Sequence, residues 1–167
     1  DLPYLNKYIE RCQSVLREGK PDNDLLVYFP IWDLWHSPEE RLIFLQMHNP
    51  EQWLLKTNFY KTIKELFGSG YSFDYISDEQ IEKSKVENNE ILTGQNKYKT
   101  IVIPLTKYMP LQTLRKLYEF AENGVKIIFI DQLPKDVPGF YNYIIQRSEL
   151  KKISDEIIKQ VDLKNMK

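Results

Sequence analysis

The chain has 167 residues, an apolar fraction of 42%, aromatics at 13% and a formal net charge of −1. That length fits one domain with a sizeable core, so residues 1–167 are read as a single domain. Acids and bases are interspersed with no basic stripe to track a phosphate backbone, which argues against nucleic acid as a partner. No apolar run approaches the roughly 18 residues needed to span a bilayer, so no membrane insertion is expected.

A single cysteine, Cys12, excludes an internal disulfide. No charged and apolar leader opens the chain, and residue 1 is Asp, so the expectation is a piece of a longer polypeptide. Pro3 suits the first turn of a helix, where its missing N–H costs nothing. Leu5, Tyr8, Ile9, Cys12, Val15 and Leu16 then recur at helical spacing, and Gly19 stops the run. Cys12 lies on that stripe and reads as a small buried hydrophobe rather than a nucleophile.

Residues 25–29 (LLVYF) form an unbroken apolar run, the mark of a strand covered on both faces. Residues 30–53 (PIWDLWHSPEERLIFLQMHNPEQW) follow as a long loop holding all three tryptophans and both histidines. Ser37 and Pro38 resemble the cap and first position of a short helix reaching to about residue 45. A second main helix is expected over 54–67, with Leu55, Phe59, Ile63 and Leu66 on one stripe. Residues 72–76 (SFDYI) read as the second strand, and 78–83 as a turn or two of helix. Asn88-Asn89 tolerates positive φ and sets a tight hairpin within 85–92, leaving 90–93 as a short edge segment rather than a core strand.

Residues 98–131 contain an apolar run (TIVIPL), an amphipathic segment ended by Asn123-Gly124, and a second apolar run (VKIIFI), the size of a βαβ unit. Leu111, Leu114, Leu117, Tyr118 and Ala121 face inward, with Pro110 just inside the helix start. The run QLPKDVPGFYN is loop, and a last helix spans 143–161 with Ile153, Ile157 and Val161 on one stripe; the tail 162–167 is expected to fray. Strands alternating with helices predict an α/β fold, a three-layer α/β/α sandwich of flavodoxin-like type with a mainly parallel sheet of four to five strands. The first strand is central, the second lies on one side, and the third and fourth on the other.

Ligands of such sheets bind beyond the carboxyl ends of the strands, at the switch point. Here those ends carry residues 30–36, Ser77-Asp78, Thr106-Lys107-Tyr108 and Asp131-Gln132. A flavin-phosphate loop needs glycines and hydroxyls after the first strand, and PIWDLW has no glycine. A dinucleotide fingerprint is absent. Thr106 stands where a phosphoacceptor Asp would end the third strand. An amidotransferase needs a Cys at the turn after a core strand, and that turn reads LTKYMP. Asp33, His36 and His48 match no helix-face ligand spacing and read as ordinary loop residues rather than a metal site. No catalytic, cofactor-binding or metal-binding residue is therefore assigned. The cluster of Trp32, Asp33, Trp35 and His36 is the candidate contact site. Its rings and polar groups suit an interface anchor, a loop folded onto the sheet end, or a stacking surface for a sugar.

LVYFPIWDLWHSPEERL, HNPEQW, GSGYSFDYISDEQI and KYKTIVIPLTKYMPLQTLRKLYEFAENGVKIIFI together resemble a domain of the α-L-rhamnosidase-like enzymes of glycoside hydrolase family 106. The resemblance covers residues 4–140. More distantly the chain is similar to the trimerisation domain of family 42 β-galactosidases. The resemblance implies a flavodoxin-like, class I glutamine-amidotransferase-like fold that has lost its Cys, in a carbohydrate-degrading enzyme of the Bacteroidetes type. It also implies that the catalytic carboxylates belong to a barrel outside this chain, so none is carried over. The implied partners are that barrel in the same parent chain and a homo-oligomer, and the implied location is periplasmic or cell-surface. The other reading is an independent α/β module that binds a sugar or small molecule through the Trp-rich loop.

Overall fold

Leu25 pairs with Phe73 on one side and with Thr100 on the other, both in parallel register, so the first apolar run is an interior strand. The computed structural model describes residues 1–36 and 49–165, with side chains as far as Lys159. In chain order the elements are α1 (Leu2–Glu18), β1 (Leu25–Tyr28), α2 (Ile31–His36), α3 (Pro50–Trp53), α4 (Asn58–Gly68), β2 (Phe73–Ile76), α5 (Asp78–Lys83), β3 (Lys85–Glu87), β4 (Glu90–Thr93), β5 (Asn96–Tyr98), β6 (Thr100–Ile103), α6 (Leu111–Glu122), β7 (Lys126–Phe129) and α7 (Tyr143–Asn165).

One parallel sheet has the order β2-β1-β6-β7, as the alternation of strands and helices predicts, and β3, β4 and β5 form a separate antiparallel sheet. Side chains along a strand point alternately to opposite faces. Leu26, Tyr28, Ile101 and Ile103 join one apolar cluster with α5, α6 and α7, while Val27 and Val102 join another with Phe59, Ile63 and Leu66 of α4. Both faces are thus covered, which is why these strands read as continuous apolar runs. The fold is an α/β sandwich built on a mainly parallel sheet.

Several expectations need correction. Helix α1 forms, with Pro3 in its first turn, but it buries no residue: Leu5, Tyr8, Val15 and Leu16 are exposed and Cys12 is half-buried. Periodicity shows that an apolar face exists, not what covers it. Helix α4 starts at Asn58 rather than at residue 54, because Thr57 caps it by accepting the Tyr60 N–H at 3.0 Å. Pro110 is the cap of α6 rather than its first residue, and Phe120 and Thr113 are buried there in addition to the leucines. The hairpin turns at Asn88 and Asn89, both at positive φ, as expected. Yet β4 is the central strand of the small sheet, and its Ile91 is fully buried against the main core, so this segment is not a mere edge. Strand β5 escaped notice because Asn96-Lys97-Tyr98 carries one apolar residue and no alternation. The short helix expected over 38–45, His48 and the end of the tail lie outside the described residues.

Candidate functional site

The connections from β1 and β6 leave in opposite directions, β1 toward β2 and β6 toward β7, so the carboxyl ends of these two neighbours flank the switch point of the sheet. The chain turns into α2 directly after β1: the Ile31 N–H donates to the Phe29 carbonyl and the Asp33 N–H to the Pro30 carbonyl. Sequence reasoning placed an irregular loop here, whereas residues 31–36 are helical. The helix puts Trp32, Trp35 and His36 on neighbouring positions three and four apart and sends Leu34 into the core.

Asp33 reaches across the switch point. The Lys107 N–H donates to its two carboxylate oxygens at 3.1 and 3.0 Å, and the Tyr108 N–H donates to Oδ1 at 2.8 Å. These amides belong to the turn after β6, at the carboxyl end of the sheet where open α/β folds bind their ligands. Here the chain's own carboxylate takes both donors. An incoming anion would have to displace a charge-assisted contact already in place.

Asp78 forms a second centre beside it. The Tyr28 hydroxyl donates to Oδ1 at 2.9 Å, the Thr113 hydroxyl to the same oxygen at 2.7 Å, and the Trp32 indole N–H to Oδ2 at 3.0 Å. Asp78 opens α5, whose cap Ser77 forms a reciprocal capping box with Gln80. Burial pushes the Tyr28 phenol far above its ordinary range, and the charge and hydrogen bond of Asp78 push it further. Tyr28 therefore stays protonated and serves as a fixed donor.

His36 stacks on the Tyr108 ring with centroids 3.8 Å apart and planes 18° apart. Its Nδ1 lies 3.0 Å from the Trp32 carbonyl, an acceptor only, so Nδ1 carries the hydrogen. Trp35 meets Trp32 edge to face at 5.1 Å and remains 51% exposed. Among the described residues no group of three or more His, Cys, Asp or Glu side chains is placed to hold a metal ion.

The chain matches a family model described as alpha-L-rhamnosidase, glycoside hydrolase family 106, over residues 47–166, more than two thirds of its length. It belongs to that family. A protein of Formosa agariphila named "Putative beta-glucuronidase" is 28% identical over 151 residues, which are 89% of this chain and 11% of that protein. The chain thus spans about a tenth of the length of this curated relative. Among solved structures, the beta-galactosidase from Bifidobacterium adolescentis aligns with 78% of this chain and 52% of its own at 14% identity, with a TM-score of 0.45.

In this family 106 chain Asp33 bridges the switch point from within, beside a cavity of about 220 Å³ bordered by Phe29, Pro30, Asp33 and Leu105. Trp32, Asp33, Trp35 and His36 lie together on α2, and the Trp32 indole, the Asp33 carboxylate and the His36 Nδ1 each have a partner within the chain. Only the Trp35 ring is left outward. Sequence reasoning missed Tyr28, Asp78 and Thr113 as a unit. Thr113 carried the usable signal, since a polar residue on the inward stripe of α6 requires a buried partner.

Proposed function

We propose that this chain is a non-catalytic accessory domain of a longer glycoside hydrolase, packed on the catalytic barrel of the same polypeptide. The observation that carries this reading is the capture of the Lys107 and Tyr108 amides by Asp33. A site that worked by binding an anion or an oxyanion at the switch point would keep those donors free. The turn that follows β6, LTKYMP, holds no cysteine, which fits a flavodoxin-like, amidotransferase-like scaffold without its nucleophile. Glycoside hydrolysis by the common routes uses a pair of carboxylates flanking an open sugar site. Asp33 and Asp78 are both tied up by donors from their own chain. The parent is read as acting on α-L-rhamnosides or a related glycoside, after the family's description.

The half-exposed Trp35 ring favours one alternative, a sugar-stacking contact on an otherwise structural domain. The purified chain is to be incubated with aryl α-L-rhamnoside, aryl β-D-glucuronide and glutamine. No turnover is expected. Turnover that disappears on Asp33→Ala or His36→Ala would overturn the accessory reading.

A further inference from the structure

The connections that follow β1 and β6 and the start of α4 border the cavity of about 220 Å³ beside Asp33. Its walls are apolar: Phe29 and Leu34 come from the β1–α2 connection, Phe59 from α4 and Leu105 from the turn after β6. Leu34 and Phe59 are buried, and the Phe29 and Phe59 rings meet edge to face with centroids 5.0 Å apart. Phe59 also touches the Tyr75 ring at 5.4 Å, so this wall ends a run of aromatic contacts.

Size sets the first limit on an occupant. Pockets for drug-sized ligands hold about 300–1,000 Å³. This one matches the liquid volume of about seven waters, room for one ring and no more. Charge sets the second. Asp33 and Lys56 border the same cavity, and Asp33 forms no ion pair among the described residues. An anion would meet the Asp33 carboxylate and a cation the Lys56 ammonium, so the occupant that fits is neutral.

Hydrogen bonding sets the third limit. The Thr57 hydroxyl is already engaged: it donates to the Leu54 carbonyl at 2.7 Å and accepts the Tyr60 N–H at 3.0 Å. The Asn58 amide donates to the Leu105 carbonyl at 3.5 Å. A carboxylate has about four acceptor sites. The Lys107 and Tyr108 amides make two contacts to Asp33 Oδ1 and a single one to Oδ2. Asp33 can thus accept a further donor without releasing either amide, provided the ligand brings a hydroxyl. A sugar ring has the right size, but most of its hydroxyls would be buried against apolar walls without partners. A flat apolar ring with one O–H has no such cost. Aromatic rings favour edge-to-face and offset contacts at centroid separations of about 4.5–7 Å, the spacing that Phe29 and Phe59 already show.

We infer that the cavity beside Asp33 binds a small neutral aromatic alcohol of the phenol class, its hydroxyl donating to the Asp33 carboxylate. This goes beyond the accessory role and does not rest on it, since a domain that performs no chemistry can still hold a ligand.

The test uses the full-length parent with phenol as the probe and anisole as the same ring without the hydroxyl hydrogen. Saturation-transfer NMR gives Kd for each, on the unmodified enzyme and on Leu105→Trp, which places a larger side chain in the cavity. Leu54→Phe, at another lining position that is only half-buried, takes its place if Leu105→Trp does not fold. Phenol is expected to bind with a Kd of about 1 mM, the range open to a one-ring ligand. Anisole should bind at least about tenfold more weakly, because it leaves the carboxylate site unfilled. The folded cavity variant should weaken phenol by at least about tenfold. Phenol binding that the folded variant leaves unchanged belongs to another site and would overturn the inference. So would anisole binding as tightly as phenol, or no phenol binding up to about 20 mM.

Discussion

Asp33, on the helix that follows the central strand, accepts the backbone N–H of Tyr108 at 2.8 Å on the far side of the switch point. With the Lys107 amide this ties α2 to the turn after β6, across the place where open α/β sheets hold their ligands. The carboxylate acts here as a structural bracket. Replacing it isosterically, Asp33→Asn, removes the charge and turns one acceptor into a donor facing a donor. Urea denaturation of the chain should register a loss of about 1.5–3 kcal/mol. A loss under about 0.5 kcal/mol would mean that the bracket contributes nothing.

Tyr28 gives the fold a base-sensitive point. Its hydroxyl is raised well above the ordinary phenol value of 10.0 by burial first and by Asp78 second. A group with a raised folded-state pKa stabilises the fold fully below its unfolded-state pKa and loses that contribution as pH rises through and beyond it. Stability should therefore fall as pH is taken above about 10. Tyr98, raised by burial and by its bond to Asp74, adds in the same direction. Tyr28→Phe should make the decline shallower, at a cost near neutral pH of about 1–2 kcal/mol for the lost bond to Asp78. Denaturation midpoints measured from pH 7 to 11 check both statements, and an unchanged slope in the variant would refute the first.

The order of the main strands was legible because residues 25–28, 100–103 and 126–129 are apolar at every or nearly every position, and the doubly covered sheet demands that pattern. The ends of α6 were legible from Pro110 and Asn123-Gly124. The small sheet was half legible: Asn88-Asn89 announced its hairpin, but β5 is polar and held by its backbone, with no side-chain period to betray it. The aromatic cluster was visible as composition alone. Its geometry depends on contacts 46 to 75 residues away, from Trp32 to Asp78 and from Asp33 to Tyr108, which no local pattern encodes. The exposed stripe of α1 marks the opposite case, a clear local pattern with no partner among the described residues.

Gly124 sits at φ +86 in the turn between α6 and β7, and a Cβ there would come within 2.7 Å of the Asn89 Oδ1 of the hairpin. Gly94, at φ +60 in the turn between β4 and β5, would meet nothing. Alanine at either position is strained by its backbone, at about 1 kcal/mol. Gly124→Ala should cost about 1 kcal/mol more than Gly94→Ala, because the Asn89 side chain must also give way. Equal losses in thermal or urea unfolding would show that Asn89 simply swings away.

Trp35 is half exposed and its described ring contact is with Trp32. Trp35→Ala should destabilise the chain by about 1 kcal/mol, well below the 3–5 kcal/mol lost with a fully buried ring. In the parent enzyme the same change should weaken packing of this domain on its neighbour, seen as faster limited proteolysis at the domain junction. A loss in the chain alone of about 3 kcal/mol or more would mark Trp35 as core and remove it from any interface.

An accessory role is most directly tested by the activity of the parent enzyme carrying Asp33→Asn, with kcat/KM for its aryl glycoside expressed per folded molecule and Tm recorded alongside. If Asp33 only brackets the switch point, Tm falls while kcat/KM stays within about threefold of the unmodified enzyme. A drop in kcat/KM of about 100-fold or more with Tm unchanged would make Asp33 a catalytic group and contradict the accessory role.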